Sequence, residues 1–174
     1  MNITAFLILI VSIIAHEVAH GLAALWQGDP TAKNAGRLTL NPIPHIDPIG
    51  SILLPALFAL GGSPIVFGWA KPVPINTYNF RSHRWGEALV AAAGPLTNIG
   101  IILIFSAILH FVPVSLAFGQ FAAVVIVINI VLALFNLMPI PPLDGSKILF
   151  SFIPQRFHGF KTWMEQKGFV LGLV

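Results

Sequence analysis

The chain has 174 residues, of which 56% are hydrophobic and only 9% charged, against about 25% charged in ordinary soluble domains. Its mean hydropathy is +0.88; a globule of this size cannot bury that much apolar surface, which excludes a soluble monomer and makes lipid the natural solvent. The net charge of +3 rests on nine Lys and Arg, too few and too scattered for a nucleic-acid face, and the lack of cysteine removes disulfides, thiolate metal sites and redox thiols.

A single domain is expected over 1–174. Residues 3–25 are apolar apart from Thr4, Ser12 and the cluster His16-Glu17-Val18-Ala19-His20, long enough to span a bilayer as a helix. The start lacks the basic residues of a signal peptide, so this helix is expected to be retained. Residues 27–47 are polar and Pro-rich, a loop. Residues 49–60 are apolar but short for a span and contain Pro55, which suits a re-entrant or interfacial segment better. In residues 68–78, Pro72 and Pro74 exclude helix, and an extended segment is expected. Two further spans are expected at 87–112 and 118–138, the second stopped by Pro139, Pro141 and Pro142. A short helix follows from Ser146 to Ile153. The polar tail gives way to a fresh apolar run at 169–174, inside which the sequence given stops. The expected fold is therefore an all-α polytopic membrane protein with about three transmembrane helices, a re-entrant segment and a short membrane-associated β element.

The chemistry is concentrated at residues 16–20. His16 and His20 are four apart, so on a helix they project from one face and can hold one ion together. Glu17 stands beside them, as the general base of a zinc hydrolase does. Ionisable groups within a span are costly and usually functional; the alternative is a pair of histidines hydrogen-bonded across helices. A catalytic zinc commonly takes three protein ligands and a water. Of the remaining acids, Asp144 alone follows a long span at a Pro-rich, helix-breaking turn, and non-helical backbone at membrane depth must line a cavity or be buried in protein. Asp144 is thus the best third ligand, the competing role being a cap for the helix near Ser146.

With these residues in view, HEVAH at 16–20, GPLTN at 94–98 and NLMPIPPLDG at 136–145 resemble the site-2 protease family of intramembrane zinc metalloproteases. LTLNPIPHIDPIGSILLP at 38–55 and GWAKPVPIN at 68–76 resemble its compact bacterial branch, which lacks PDZ and CBS domains. The resemblance runs in order from residue 16 to about 150. It implies one zinc per chain held by His16, His20 and Asp144, Glu17 as the base, and a membrane-protein substrate with a transmembrane helix. It further implies that Asn136, in the N-x-x-P-x-P stretch, helps hold substrate.

If the resemblance holds, His20 and Asp144 must meet at one depth. His20 lies ~25 Å into its helix and Asp144 follows a full span, so the two exit faces must coincide. Spans 87–112 and 118–138 achieve this only if 49–60 does not cross. All nine Lys and Arg then fall on one side, which the positive-inside rule makes cytoplasmic and leaves the N-terminus outside a bacterial inner membrane. Trp26, Trp69, Trp85 and Trp163 fall on that side too, as interfacial anchors.

Three further features admit two readings each. Asn98 and Asn136 could stabilise the oxyanion beside the metal or simply hydrogen-bond between helices. Pro72 and Pro74 blunt one edge of the extended segment and leave the N–H groups of Lys71, Val73 and Ile75 on the other, an edge to which an unwound substrate could add, or the segment is an interfacial loop. His45 and Asp47 are gate groups at the site's mouth or a solvated loop pair. Among other functions, a di-iron desaturase would need more clustered histidines than the six present, and a non-proteolytic zinc transporter or sensor would have no use for Glu17.

Overall fold

The computed structural model describes residues 3–61, 70–82, 85–153, 159 and 162–164. Its frame is three long apolar helices, α1 (Ile3–Trp26), α4 (Gly86–Phe111) and α5 (Leu116–Asn136), each within two residues of an expected span. Between the first two lie α2 (Thr31–Asn34), a π-type stretch Pro48–Leu53 continuing into α3 (Leu54–Leu60), and single 3₁₀ turns at Ile43–His45 and Thr77–Asn79. A short α6 (Asp144–Phe152) follows α5. Helices of 24, 26 and 21 residues reach about 30 Å or more, the thickness of a bilayer's hydrocarbon core. Only 28%, 33% and 22% of their apolar windows are buried within the protein. The outward Leu7, Val11, Leu103, Ile104, Val127 and Leu134 need lipid to cover them, and the chain is an integral membrane protein.

The long helix α4 is the centre of the bundle, packing on α1, α5 and α6, while α1 also touches α5. Its approach to α1 depends on Gly94: a Cβ there would lie 2.5 Å from Nε2 of both His16 and His20. Close helix approach at small residues is the usual solution where lipid supplies no hydrophobic drive. The glycine after Asp144 has a comparable role, since a Cβ on Gly145 would sit 2.1 Å from the Leu137 carbonyl oxygen. The Pro-rich turn after α5 can therefore fold tightly back and deliver Asp144 to the bundle.

The 48–60 segment is helical, with Asp47 as its cap: the carboxylate accepts from the N–H groups of Ile49 (3.0 Å) and Gly50 (2.7 Å). Its 6 and 7 residues reach ~20 Å, shorter than the ~30 Å of a bilayer's hydrocarbon core. The expected β element is not seen among the described residues. Among the described residues there is no strand, and 70–76 is extended chain outside any ladder. Two of its three expected free donors are already committed, Lys71 N–H to the His45 carbonyl at 2.9 Å and Val73 N–H to Glu17 Oε2 at 2.9 Å. Trp69, His83, Arg84 and the apolar run at 169–174 lie outside the described residues.

Candidate metal centre

Helix periodicity puts His16 and His20 on the face of α1 turned toward α4, where both are buried. Their Nδ1 atoms are held from behind. The His16 Nδ1–H donates to Asn98 Oδ1 at 2.7 Å, and the His20 Nδ1–H donates to the Val90 carbonyl at 2.7 Å, both partners on α4. With those protons committed, each Nε2 presents a bare lone pair to the other side. The two Nε2 atoms are 3.0 Å apart, and Asp144 Oδ2 stands 3.1 Å from each.

Three buried acceptors facing one another at that range are satisfied only by a shared proton or a cation, and a divalent cation satisfies all three at once. Two imidazoles and one carboxylate form a donor set suited to zinc. A tetrahedral ion bonded at 2.0–2.1 Å needs ligand atoms ~3.3 Å apart, a few tenths wider than the triangle found. The bare Cα of Gly94 leaves room beside the two Nε2 atoms. The residues fit the metal. Asp144 is not a cap: the N-cap of α6 is Leu143, with no side-chain cap bond.

The triangle opens onto a groove of about 330 Å³ lined by Glu17, Val73, Ile75, Asn136 and Lys147, among others. Glu17 is half-buried one residue from His16, its Oε2 held by the Val73 N–H. Asn136 donates from Nδ2 to the Leu132 carbonyl of its own helix at 2.9 Å and still borders the groove. Lys71 is not among the lining residues. Asn98 is not either; it is wholly buried behind His16, with Nδ2 donating to Asn129 Oδ1 at 2.8 Å. Of its two expected roles, the interhelical hydrogen bond is the one the structure forms. His45 likewise faces inward, 2% exposed, with Nε2 on the Thr39 carbonyl.

Several residues that shape the site carry no motif. Asp29, fully buried, accepts from the Asn76 N–H (2.7 Å), Asn79 Nδ2 (2.8 Å), and the Thr31 N–H and hydroxyl. Burial opposes its charge, but these bonds outweigh that and hold the carboxyl below its ordinary range. Arg37 donates from Nη2 to the carbonyls of Lys71 (2.7 Å) and Pro72 (3.3 Å). Together they pin both ends of 71–76 across the groove. Gly21 lets the segment close on α1, since a Cβ there would lie 3.1 Å from Val73 Cγ1. Ser12 and Asn129 complete a polar chain inside the bundle. Their signal in the sequence was helical spacing, Ser12 one turn before His16 and Asn129 two turns before Asn136.

A bundle of apolar spans closing on a buried His₂Asp triangle with a carboxylate beside it defines a membrane-embedded metallohydrolase site. Residues 112–173 match the model of peptidase family M50. YwhC of Bacillus subtilis strain 168, by name a candidate zinc metalloprotease, is 42% identical over 175 residues, covering 95% of this chain and 76% of its own. Rip2 of Mycobacterium tuberculosis, similarly named, is 32% identical over 143 residues, covering 80% of this chain, which spans about half (53%) of Rip2. No solved structure matches the chain. The chain belongs to peptidase family M50, the site-2 proteases.

Proposed function

We propose that this chain is a zinc-dependent intramembrane endopeptidase that cleaves membrane-protein substrates in or near their transmembrane helices. The observation that carries the reading is the meeting of three buried ligand atoms from α1 and α6, 3.0–3.1 Å apart, at the head of a groove that also contains Glu17. His16, His20 and Asp144 would hold one zinc, which when bound polarises a carbonyl and activates water. Glu17 takes the proton of the attacking water and hands it to the leaving amine. The Val73 N–H bond sets the position of that carboxylate. Asn136, on the groove wall, is placed to hold the peptide, and the Val73 and Ile75 side chains offer it apolar contact. A peptide in a helix hides its carbonyls, so substrate enters the groove unwound.

The expected result is that purified protein in detergent cleaves a single-span substrate, that a chelator stops cleavage, and that added zinc restores it. Cleavage that survives complete removal of metal overturns the reading.

The same proposal extends to placement in a bacterial inner membrane, with the N-terminus outside and the groove toward the cytoplasm. Its support is the one-sided distribution of the nine Lys and Arg and the short reach of 48–60, which then re-enters rather than crosses. Single cysteines replacing Lys33 and Ser115 test it with an impermeant thiol reagent on intact cells. Ser115 labels and Lys33 does not; the reverse pattern overturns the orientation.

A further inference from the structure

Two amides and a hydroxyl would not be expected in the lipid-buried heart of a three-helix bundle unless they did something there. Ser12 on α1 and Asn98 and Asn129 on α4 and α5 are 4%, 0% and 0% exposed. They form one continuous chain with His16. Its order is His16 Nδ1–H to Asn98 Oδ1 (2.7 Å), Asn98 Nδ2 to Asn129 Oδ1 (2.8 Å), then Asn129 Nδ2 to Ser12 Oγ (3.0 Å) and to the Val125 carbonyl (2.9 Å).

The polarity of this chain has a single origin. A hydroxyl can donate or accept, and an amide can be turned over, but a backbone carbonyl only accepts. The Val125 carbonyl therefore obliges Asn129 to present its NH₂ on that side and its oxygen to Asn98. Asn98 must then meet Asn129 with its own NH₂, which leaves its oxygen for His16. An acceptor at that point requires the imidazole proton on Nδ1, and Nε2 is left as a lone pair toward Asp144 and His20. Turning either amide over would oppose donor to donor and acceptor to acceptor in a buried site, where no water can satisfy the groups left unpaired. His20 reaches the same state more simply, directly on the Val90 carbonyl.

We infer that Asn129 is a positioning residue for the metal centre: through Asn98 it fixes the tautomer and ring orientation of His16, taking its own orientation from the Val125 carbonyl. The inference rests on the reading of His16, His20 and Asp144 as zinc ligands. It assigns a function at this centre to a residue of α5 that touches neither the groove nor a ligand.

The test reads zinc affinity by chelator competition in the full chain. Asn129→Leu keeps the volume and removes the amide. It should weaken zinc about 10–100-fold, the usual effect of losing the group behind a metal-binding histidine. Ser12→Ala leaves the Val125 anchor in place and should stay within a few-fold of wild type. The decisive variant is Asn98→Asp in the Asn129→Leu background. A carboxylate accepts at both oxygens and cannot be turned the wrong way, so it should hold His16 without help from Asn129 and recover the affinity. Unchanged zinc affinity in Asn129→Leu overturns the inference, as does a loss that Asn98→Asp fails to restore, since a packing defect would not be rescued by a change on another helix. If Asn129→Leu does not fold, the wild-type protein decides: imidazole ¹⁵N shifts of His16 in the zinc-free state must report the Nδ1–H tautomer, and the Nε2–H tautomer overturns the inference. Wild-type protein that takes up no zinc removes the reading of the site itself, an outcome distinct from a zinc-binding wild type whose affinity is indifferent to Asn129.

Discussion

Glu17→Gln protein should bind zinc as the wild type does and unfold at the same temperature, while its rate of substrate cleavage falls by about 10²–10⁴-fold, the usual contribution of a general base. The amide has the size of the carboxylate and can still accept the Val73 N–H through its oxygen, so the 2.9 Å contact survives and the groove keeps its shape. What it cannot do is take a proton from water. Cleavage near the wild-type rate ends the role proposed for Glu17. Loss of zinc would make Glu17 a ligand or a structural group instead. A zinc transporter or sensor built on the same triangle would keep its function in this variant, so the experiment also separates those classes from a protease.

Two variants that act on the metal rather than on the base should behave differently. Asp144→Ala removes one of three ligand atoms, and its zinc affinity should fall by more than the roughly 10–100-fold typical of a residue behind a ligand. Gly94→Ala removes no ligand at all. Its Cβ would stand 2.5 Å from both histidine Nε2 atoms, well inside van der Waals contact. Either the rings turn away or α4 backs off from α1, at an overpacking cost of about 1–3 kcal/mol. Both variants should lose zinc and cleavage together, whereas Glu17→Gln loses cleavage alone. Metal content of the purified proteins, with circular dichroism to show that the helices persist, checks this. Full zinc occupancy in Asp144→Ala would remove Asp144 as third ligand, and full occupancy in Gly94→Ala would mean that the close approach of α4 does not define the site.

The membrane spans were determined by the sequence alone, because a bilayer imposes a length and an apolar composition that no tertiary contact needs to supply. Helix spacing likewise placed His16 and His20 on one face with Glu17 beside them, and the Pro-rich break after α5 singled out Asp144. These are local properties of one chain segment. Where partners come from other helices, only the tertiary structure decided. Asn98 read equally as an oxyanion donor or an interhelical hydrogen bond; in the fold it lies buried behind His16 and bonds to His16 and Asn129. The edge of Lys71, Val73 and Ile75 read as an open edge because the alternation of prolines shows which N–H groups remain. It does not show that the His45 carbonyl and Glu17 already occupy two of them. Asp29, Arg37 and Asn129 had no motif to mark them, since a hydrogen bond formed across 31 to 50 residues of chain leaves no periodicity in the sequence. A helix carries its own backbone hydrogen bonds and so is visible from its residues, whereas a buried polar side chain is satisfied by whichever group the fold brings within 3 Å.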